Sequence, residues 1–304
     1  MTDTIALTFP RRFRFRNVVF SHGWCSLPPF TVEEDPLTLR IAACSSHGKG
    51  YHVVLREKPR SYSPSVQIET SGRVSEAVRT EAGTITRDIL QFDADLQEFY
   101  AFIANFPHHV WMKQEGVGRF LRAPTFFEDL IKTICTTNCS WSFTTTMTNH
   151  LVNLLGQTSY QSRHIFPTPE SIADQSEVYL RKECKLGYRA PYILELSRRA
   201  ASGELDIEAF RKTSAPADEV FAELTALKGI GDYAAANLLR MLGKFDYLGL
   251  DSWCRKKIAE IHGDGTTLSD SDIKRLYAPY GKWKGLVMWS EVTRSWYSDK
   301  FPQW

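Results

Sequence analysis

The sequence predicts an α+β fold, a small N-terminal antiparallel β-sheet lobe followed by an all-helical body. Three observations predict it. Short apolar runs separated by turn signals crowd the first part of the chain, several of them alternating with period two. From about residue 85 the apolar positions recur at three and four instead. In the last third, the stretch "LKGIGDYAAANLL" breaks a long helical pattern at Gly229 and Gly231. The domain division that follows is a lobe of 1–84 and a helical domain of 85–304.

Composition bounds the function classes. The chain has 304 residues, 43% of them apolar and 24% charged, a globular balance with material for a real core. The net charge of +2 means that any site for a polyanion must be a local patch. No uncharged apolar run reaches membrane-span length, and "MTDTIALTFPRRFRFR" has no apolar stretch of signal-peptide type. The six cysteines, Cys25, Cys44, Cys135, Cys139, Cys184 and Cys254, include no C-x-x-C pair. Cys135 and Cys139 lie one helical turn apart, but two ligands do not make a metal site. Reduced thiols in a cytosolic protein are the expectation.

In chain order, "RRFRFRNVVF" alternates Arg12, Arg14 and Arg16 with Phe13 and Phe15 and reads as a strand. Its arginine face suits phosphates, although solvated arginine on one strand face is commoner. "LTLRIAA" and "YHVVLRE" are further strands across the turn "CSSHGKG", and "PSVQIET" is another. "DADLQEFYAFIANF" then places Leu96, Phe99, Tyr100 and Ile103 on one helical stripe. In "RAPTFFEDLIKTICTTNCSW", Thr125 is the expected N-cap, Glu128 completes a capping box, and Phe127, Leu130, Ile131 and Ile134 face inward. "LGYRAPYILELSRRAASGEL" is a turn and a helix. "TSAPADEVFAELTAL" follows with Ser214 as cap, Pro216 in the first turn, and Val220, Phe221, Leu224 and Leu227 inward.

The interrupted segment carries the chemistry. Asp218 to Leu227 and Asp232 to Leu242 read as two helices linked by "KGIG". Glycine inside a helix costs about 1 kcal/mol against alanine, so the break needs a use. Positive φ at Gly229 and Gly231 would turn the chain sharply and bring backbone N–H groups close to a partner. At a helix start such groups favour an anion, and a phosphate fits without any reading of base sequence. Beyond Gly243, "KFDYLGL" leads to Asp251, the N-cap of "SWCRKKIAEIH". A carboxylate there is favoured by the helix N-terminus, and beside an anion-binding hairpin it can stabilise a developing sugar cation.

These residues resemble the helix–hairpin–helix (HhH-GPD) DNA glycosylase superfamily, nearest its 8-oxoguanine and 3-methyladenine DNA glycosylase II-like branch. The family hairpin L-x-G-[IV]-G stands here as Leu227 to Gly231, its aspartate as Asp251, and its upstream helix as Pro124 to Ile131. "TICTTNCSW" and "LGYRAPY" resemble two further segments of the branch that contains eukaryotic 8-oxoguanine glycosylases. "ILQFDADLQEFY" resembles an early helix of that fold. The likeness is strong over 120–145 and 185–260 and weak before residue 85.

The resemblance implies a DNA base-excision repair enzyme that flips a damaged base and hydrolyses its N-glycosidic bond. Asp251 is the implied catalytic residue. The hairpin with Lys228, Gly229, Ile230 and Gly231 grips the backbone. Asn138 fills the emptied stack, and Tyr188 with Arg189 holds the opposite strand. Trp289, Tyr233 and Asn237 surround the flipped base, although core packing accounts for Trp289 equally well. The carbonyls of Thr225, Leu227 and Ile230 match the family's site for a monovalent cation, K+ or Na+. No other cofactor is implied, and the iron–sulfur loop of some relatives is absent. The implied partner is double-stranded DNA bound by a monomer with no membrane association, in the bacterial cytoplasm at the nucleoid or in a eukaryotic nucleus.

The pattern departs from the family at two positions. Relatives that also cut the strand carry a lysine two residues after the second hairpin glycine, where this chain has Tyr233. A phenol cannot form a Schiff base, so a monofunctional glycosylase is expected. Asp232 would repel a phosphate, and it reads as a helix-start residue. The alternatives are a catalytically silent DNA-binding protein, a glycosylase with lyase activity through another lysine, and a purely structural helical protein. The aromatic pocket suits alkylated purines, the overall likeness suits oxidised ones, and the missing lysine suits alkylated or deaminated ones.

Overall fold

The computed structural model describes residues 1–263 and 266–298, with the side chain of Ser298 left aside. In chain order the strands are β1 (Thr2–Ile5), β2 (Phe30–Glu34), β3 (Leu37–Cys44), β4 (Gly50–Arg56) and β5 (Ser65–Glu69). The helices used below are α1 (Phe15–Val19), α2 (Glu76–Ile89), α3 (Gln97–Ile103), α4 (Phe126–Thr136), α5 (Trp141–Leu155), α6 (Ala190–Ala201), α7 (Ala217–Thr225), α8 (Asp232–Met241), α9 (Ser252–His262) and α10 (Lys284–Val292). The chain forms two compact units. The first joins Met1–Asp93 to Arg119–Glu208, and the second joins Ala94–Gly118 to the chain from Ala209 onward. The expected boundary at 84/85 falls inside α2, which runs unbroken across it because Ser75 caps it by accepting from the Val78 N–H.

The first unit holds the sheet, antiparallel throughout in the order β1-β5-β4-β3-β2. Leu37, Leu39 and Ile41 of β3 pair with the Leu55 and Val53 side of β4, and all are fully buried. The runs "LTLRIAA", "YHVVLRE" and "PSVQIET" are thus the strands β3, β4 and β5.

"RRFRFRNVVF" is not a strand. Arg12 turns the chain at φ +60°, and Phe15–Val19 is the helix α1. Phe15, Val18 and Val19 stand at the i, i+3, i+4 spacing of one helical face and are buried, while Phe13 packs against Phe9 and Phe92. Burial of that face overrides an alternation only a few residues long. The sheet is completed instead by β1 and β2, which carry no strong alternation.

Helix α4 organises the first unit. Thr125 is its N-cap, accepting from the Glu128 N–H. The expected capping box does not form, because the Glu128 carboxylate accepts from Lys132 Nζ at 2.6 Å one turn on. Both side chains are buried, and the ammonium lies 4.9 Å from the Phe30 ring centroid. Asp129, also buried, accepts from the Trp24 indole at 2.8 Å and the Ala123 N–H at 2.9 Å. The Glu208 carboxylate accepts from the N–H groups of Phe126 and Phe127, each at 2.9 Å, meeting orphan donors of the first turn.

In the second unit Leu96, Phe99, Tyr100 and Ile103 are all buried as the stripe predicts. Helix α7 begins at Ala217 after Pro216, and no side chain caps it. The expected cap at Ser214 therefore lies too far upstream to reach the first turn.

The buried Lys132–Glu128 pair yields a stability prediction. Lys132→Met leaves a carboxylate buried without its partner and is expected to cost about 3–5 kcal/mol. Adding Glu128→Leu removes the stranded charge and should recover most of that loss. Urea unfolding of the three proteins measures it, and equal losses in single and double variants would show that the pair is not coupled.

Candidate active site

The hairpin is the turn between α7 and α8. Gly229 sits at φ +89°, the left-handed region that a side chain disfavours. Gly231 does not share it. It is the N-cap of α8 in extended backbone, φ −96° and ψ −177°, which any residue adopts. A Cβ built there meets nothing within 4 Å. The fold therefore requires glycine at 229 and leaves it optional at 231, where only something outside the chain would meet an added side chain. Leu227 and Ile230 are buried anchors of the turn, and Lys228 is exposed. The Leu227 carbonyl accepts from the Ile230 N–H at 3.1 Å. With those of Thr225 and Ile230 it forms a set of neutral oxygens, a donor type that suits a monovalent cation.

Residues 244–250 lead from α8 to Asp251, and two contacts hold them. The Tyr247 ring stacks on Phe221 of α7 at 4.0 Å, with 4° between the planes. The Gly285 N–H donates to the Phe245 carbonyl at 2.8 Å, and a Cβ at Gly285 would come within 2.2 Å of the Tyr247 carbonyl oxygen. Only glycine allows that approach, which brings α10 and Trp289 against the connection. Asp251 then caps α9, its Oδ1 accepting from the Cys254 N–H at 2.7 Å. The Cys254 thiol beneath it is pushed up, chiefly by burial and next by the Asp251 charge. Arg255 is held by Asp270 through two hydrogen bonds of 2.8 and 3.0 Å, and this pairing raises its pKa.

Helix α8 presents Tyr233, Asn237 and Arg240 at i, i+4 and i+7, one face. Asn237 Nδ2 donates to the Tyr233 carbonyl at 2.8 Å, and Arg240 Nη1 donates to Asn237 Oδ1 at 3.0 Å. Tyr233, Asn237, Asp251 and Trp289 are half-buried, whereas Arg240 is only 4% exposed. Its guanidinium lies 4.3 Å from the Trp289 ring centroid. Burial draws the Arg240 pKa down, and the neighbouring Cys254, Tyr233 and Asp251 oppose that shift. Sequence reasoning missed Arg240. The available signal was a third polar residue in register with Tyr233 and Asn237 on an otherwise apolar helix.

The first unit assembles a second group at the end of α4. Asn138 follows the C-cap Thr137 in left-handed backbone, φ +48°, and is exposed. Its Nδ2 lies 3.5 Å from the Tyr188 hydroxyl. Tyr188 is 46% exposed. Arg189 is not, at 2%. Its guanidinium donates to the carbonyls of Ile134 and Thr137 and lies 4.5 Å over the Tyr188 ring. The sequence expectation sends Tyr188 and Arg189 together to an opposite strand. In the structure Arg189 is engaged with the C-terminal carbonyls of α4, and the outward groups are Tyr188 and Asn138.

Comparisons with known proteins follow the same residues. The model of the family described as "HhH-GPD superfamily base excision DNA repair protein" matches residues 131–285. The "Probable N-glycosylase/DNA lyase" of Methanothermobacter thermautotrophicus is 26% identical over 241 residues, covering 71% of this chain and 76% of that protein. Among solved structures, the 3-methyladenine DNA glycosylase of Archaeoglobus fulgidus matches with a TM-score of 0.67 at 19% identity, over 97% of this chain and 98% of that one. The 8-oxoguanine glycosylase/lyase of Clostridium acetobutylicum, in complex with double-stranded DNA containing cytosine opposite 8-oxoguanine, matches with a TM-score of 0.68 at 20% identity, over 93% and 92%. At these identities the structural likeness establishes the fold.

The two hairpin glycines should separate experimentally. Gly229→Ala is expected to lower stability by about 1 kcal/mol through left-handed strain. Gly231→Ala should leave the melting temperature unchanged. Thermal unfolding of both variants checks this, and equal destabilisation would show that Gly231 also serves the fold.

Proposed function

The chain belongs to the HhH-GPD superfamily of base excision DNA repair proteins, and from that premise we propose a monofunctional DNA glycosylase that flips a damaged base out of duplex DNA and hydrolyses its bond to the sugar. The observation that carries this reading is Asp251, a half-buried carboxylate fixed on the N-terminus of α9 in the same unit as the hairpin, Tyr233, Asn237 and Trp289.

The work divides among residues already described. The hairpin N–H groups, with Lys228, bind a backbone phosphate and position the enzyme without reading sequence. The open space at Gly231 supports close approach there. Flipping costs a few kcal/mol of unstacking. Asn138, exposed on its left-handed turn, is suited to filling the gap, and Tyr188 to meeting the opposite strand. Arg189 contributes by holding the end of α4 that presents them. Trp289 and Tyr233 stack on the flipped base, with Asn237 at its edge. The C1′–N bond then breaks, and the base leaves with the electron pair and gains a proton. The Asp251 carboxylate stabilises the sugar cation, and water adds to C1′ with loss of a proton. A K+ or Na+ ion at the carbonyls of Thr225, Leu227 and Ile230 would brace the hairpin. The enzyme acts as a monomer wherever its genome lies, in the cytoplasm at a bacterial nucleoid or in a nucleus.

A second reading, base release coupled to strand cutting, is favoured by the name of the Methanothermobacter relative, an N-glycosylase/DNA lyase. Lyase chemistry needs an amine that forms an imine at C1′. Tyr233 stands at the position where strand-cutting relatives carry theirs.

Two measurements test the proposal. Asp251→Asn keeps a cap able to accept the Cys254 N–H while removing the charge. It should retain duplex affinity and lose base release by at least a hundredfold, about 2.7 kcal/mol or more. Wild-type release rates in this variant would exclude Asp251 from the chemistry. Borohydride added during turnover should trap no covalent protein–DNA adduct. An adduct forming as fast as the base departs would establish the lyase reading, with Lys228, Lys256 or Lys257 as the amine to replace first.

A further inference from the structure

We propose that Arg240 sets the lesion class, making the aromatic wall at Trp289 selective against cationic, N-alkylated purines and for neutral, oxidised or deaminated ones. The inference rests on the glycosylase reading above and deepens it. An indole ring offers two faces, and each attracts a cation through the same ring quadrupole. On Trp289 one face is already met by a guanidinium, 4.3 Å from the ring centroid. Two other rings border it, but neither lies flat against it. Trp253 is tilted by 54° at 6.1 Å, and Trp296 stands edge-on at 86° and 5.9 Å. A base stacked on the half-exposed indole therefore lies one ring thickness from a fixed positive charge.

That charge is held in place and kept dry. Arg240 Nη1 is fixed by Asn237 Oδ1 at 3.0 Å, and Asn237 is itself fixed to the Tyr233 carbonyl at 2.8 Å. The connection to Asp251 closes over the guanidinium at Gly249, where an added Cβ would come within 3.1 Å of both Arg240 Nη2 and Asn237 Nδ2. Any larger residue there would displace the pair. A buried charge is weakly screened, so it is felt through the ring. Arginine keeps its proton even here, and the Asp251, Tyr233 and Cys254 groups around it support the charged form. An alkylated purine, already cationic before its bond breaks, meets repulsion where aromatic pockets usually offer attraction. A neutral base with carbonyl groups meets none. Coulomb repulsion through partly screened protein at that separation corresponds to a discrimination on the order of tenfold or more.

The test is single-turnover base release from duplexes that each hold one lesion. The lesions are 8-oxoguanine and hypoxanthine as neutral bases, and 7-methylguanine and 3-methyladenine as cationic ones. Each rate is divided by the spontaneous release of the same base, because cationic purines depart faster unaided. Wild-type protein should accelerate at least one neutral lesion more than either cationic one. Arg240→Met should move the ratio toward the cationic lesions by about tenfold, and Arg240→Lys, which keeps a charge, should hold it nearer wild type. Greater acceleration of a cationic lesion by the wild type overturns the inference, as does an unchanged ratio in a folded Arg240→Met protein. If that variant does not fold, the wild-type ratio decides. Release of no base from any duplex defeats the glycosylase reading itself, and this inference with it.

Discussion

A helix leaves its first N–H and last C=O groups without internal partners, and something must meet them. Both candidate clusters are built where this chain meets that requirement with side chains. At the end of α4 the Arg189 guanidinium takes the carbonyls of Ile134 and Thr137, and the turn it closes presents Asn138 and Tyr188. At the start of α9 the Asp251 carboxylate takes the Cys254 N–H and is thereby aimed and held. At the start of α8 the opposite choice is made. Gly231 supplies no capping side chain, so the first N–H groups of that helix remain for a partner of another kind. The same constraint, met twice and left unmet once, accounts for the placement of the carboxylate, the proposed wedge and the proposed phosphate grip.

The two units each bury an ionised group by different means. Lys132 and Glu128 neutralise one another within a single turn of α4, a local solution with aromatic rings as walls. Arg240 has no carboxylate at ion-pair distance among the described contacts. It is held by a neutral amide and the face of an indole, with Asp251 acting at longer range. A paired charge adds little field around it. A charge compensated only by dipoles and a ring projects its field outward. The first arrangement stabilises a core, and the second gives a site an electrostatic character.

Much of this protein follows from local pattern. The strands β3, β4 and β5, the stripe of Leu96, Phe99, Tyr100 and Ile103, the cap at Thr125 and the cap at Asp251 all rest on interactions within a few residues. Periodicity and capping rules see such interactions directly. The turn at Gly229 belongs with them, since its left-handed backbone is a property of one residue. Where local signals are short or compete, long-range packing decides. The Arg–Phe alternation of residues 12–16 yields to a helix because Phe15, Val18 and Val19 find a core together. Glu128 leaves its capping role because a buried lysine one turn on needs it more.

By itself the sequence determined the fold class, the family and the residue most suited to the chemistry, because each is written in spacing along the chain. Only the tertiary structure decided which faces and contacts these residues have. Arg189 turns inward to carbonyls, Gly231 needs no left-handed backbone, and Trp289 receives a guanidinium from a helix far from it in sequence. Those outcomes depend on which helices meet. Gly285 and Gly249, which look like ordinary loop or helix glycines in sequence, permit the close approaches that bring them together. Burial and side-chain orientation are properties of packing, and no linear spacing encodes them.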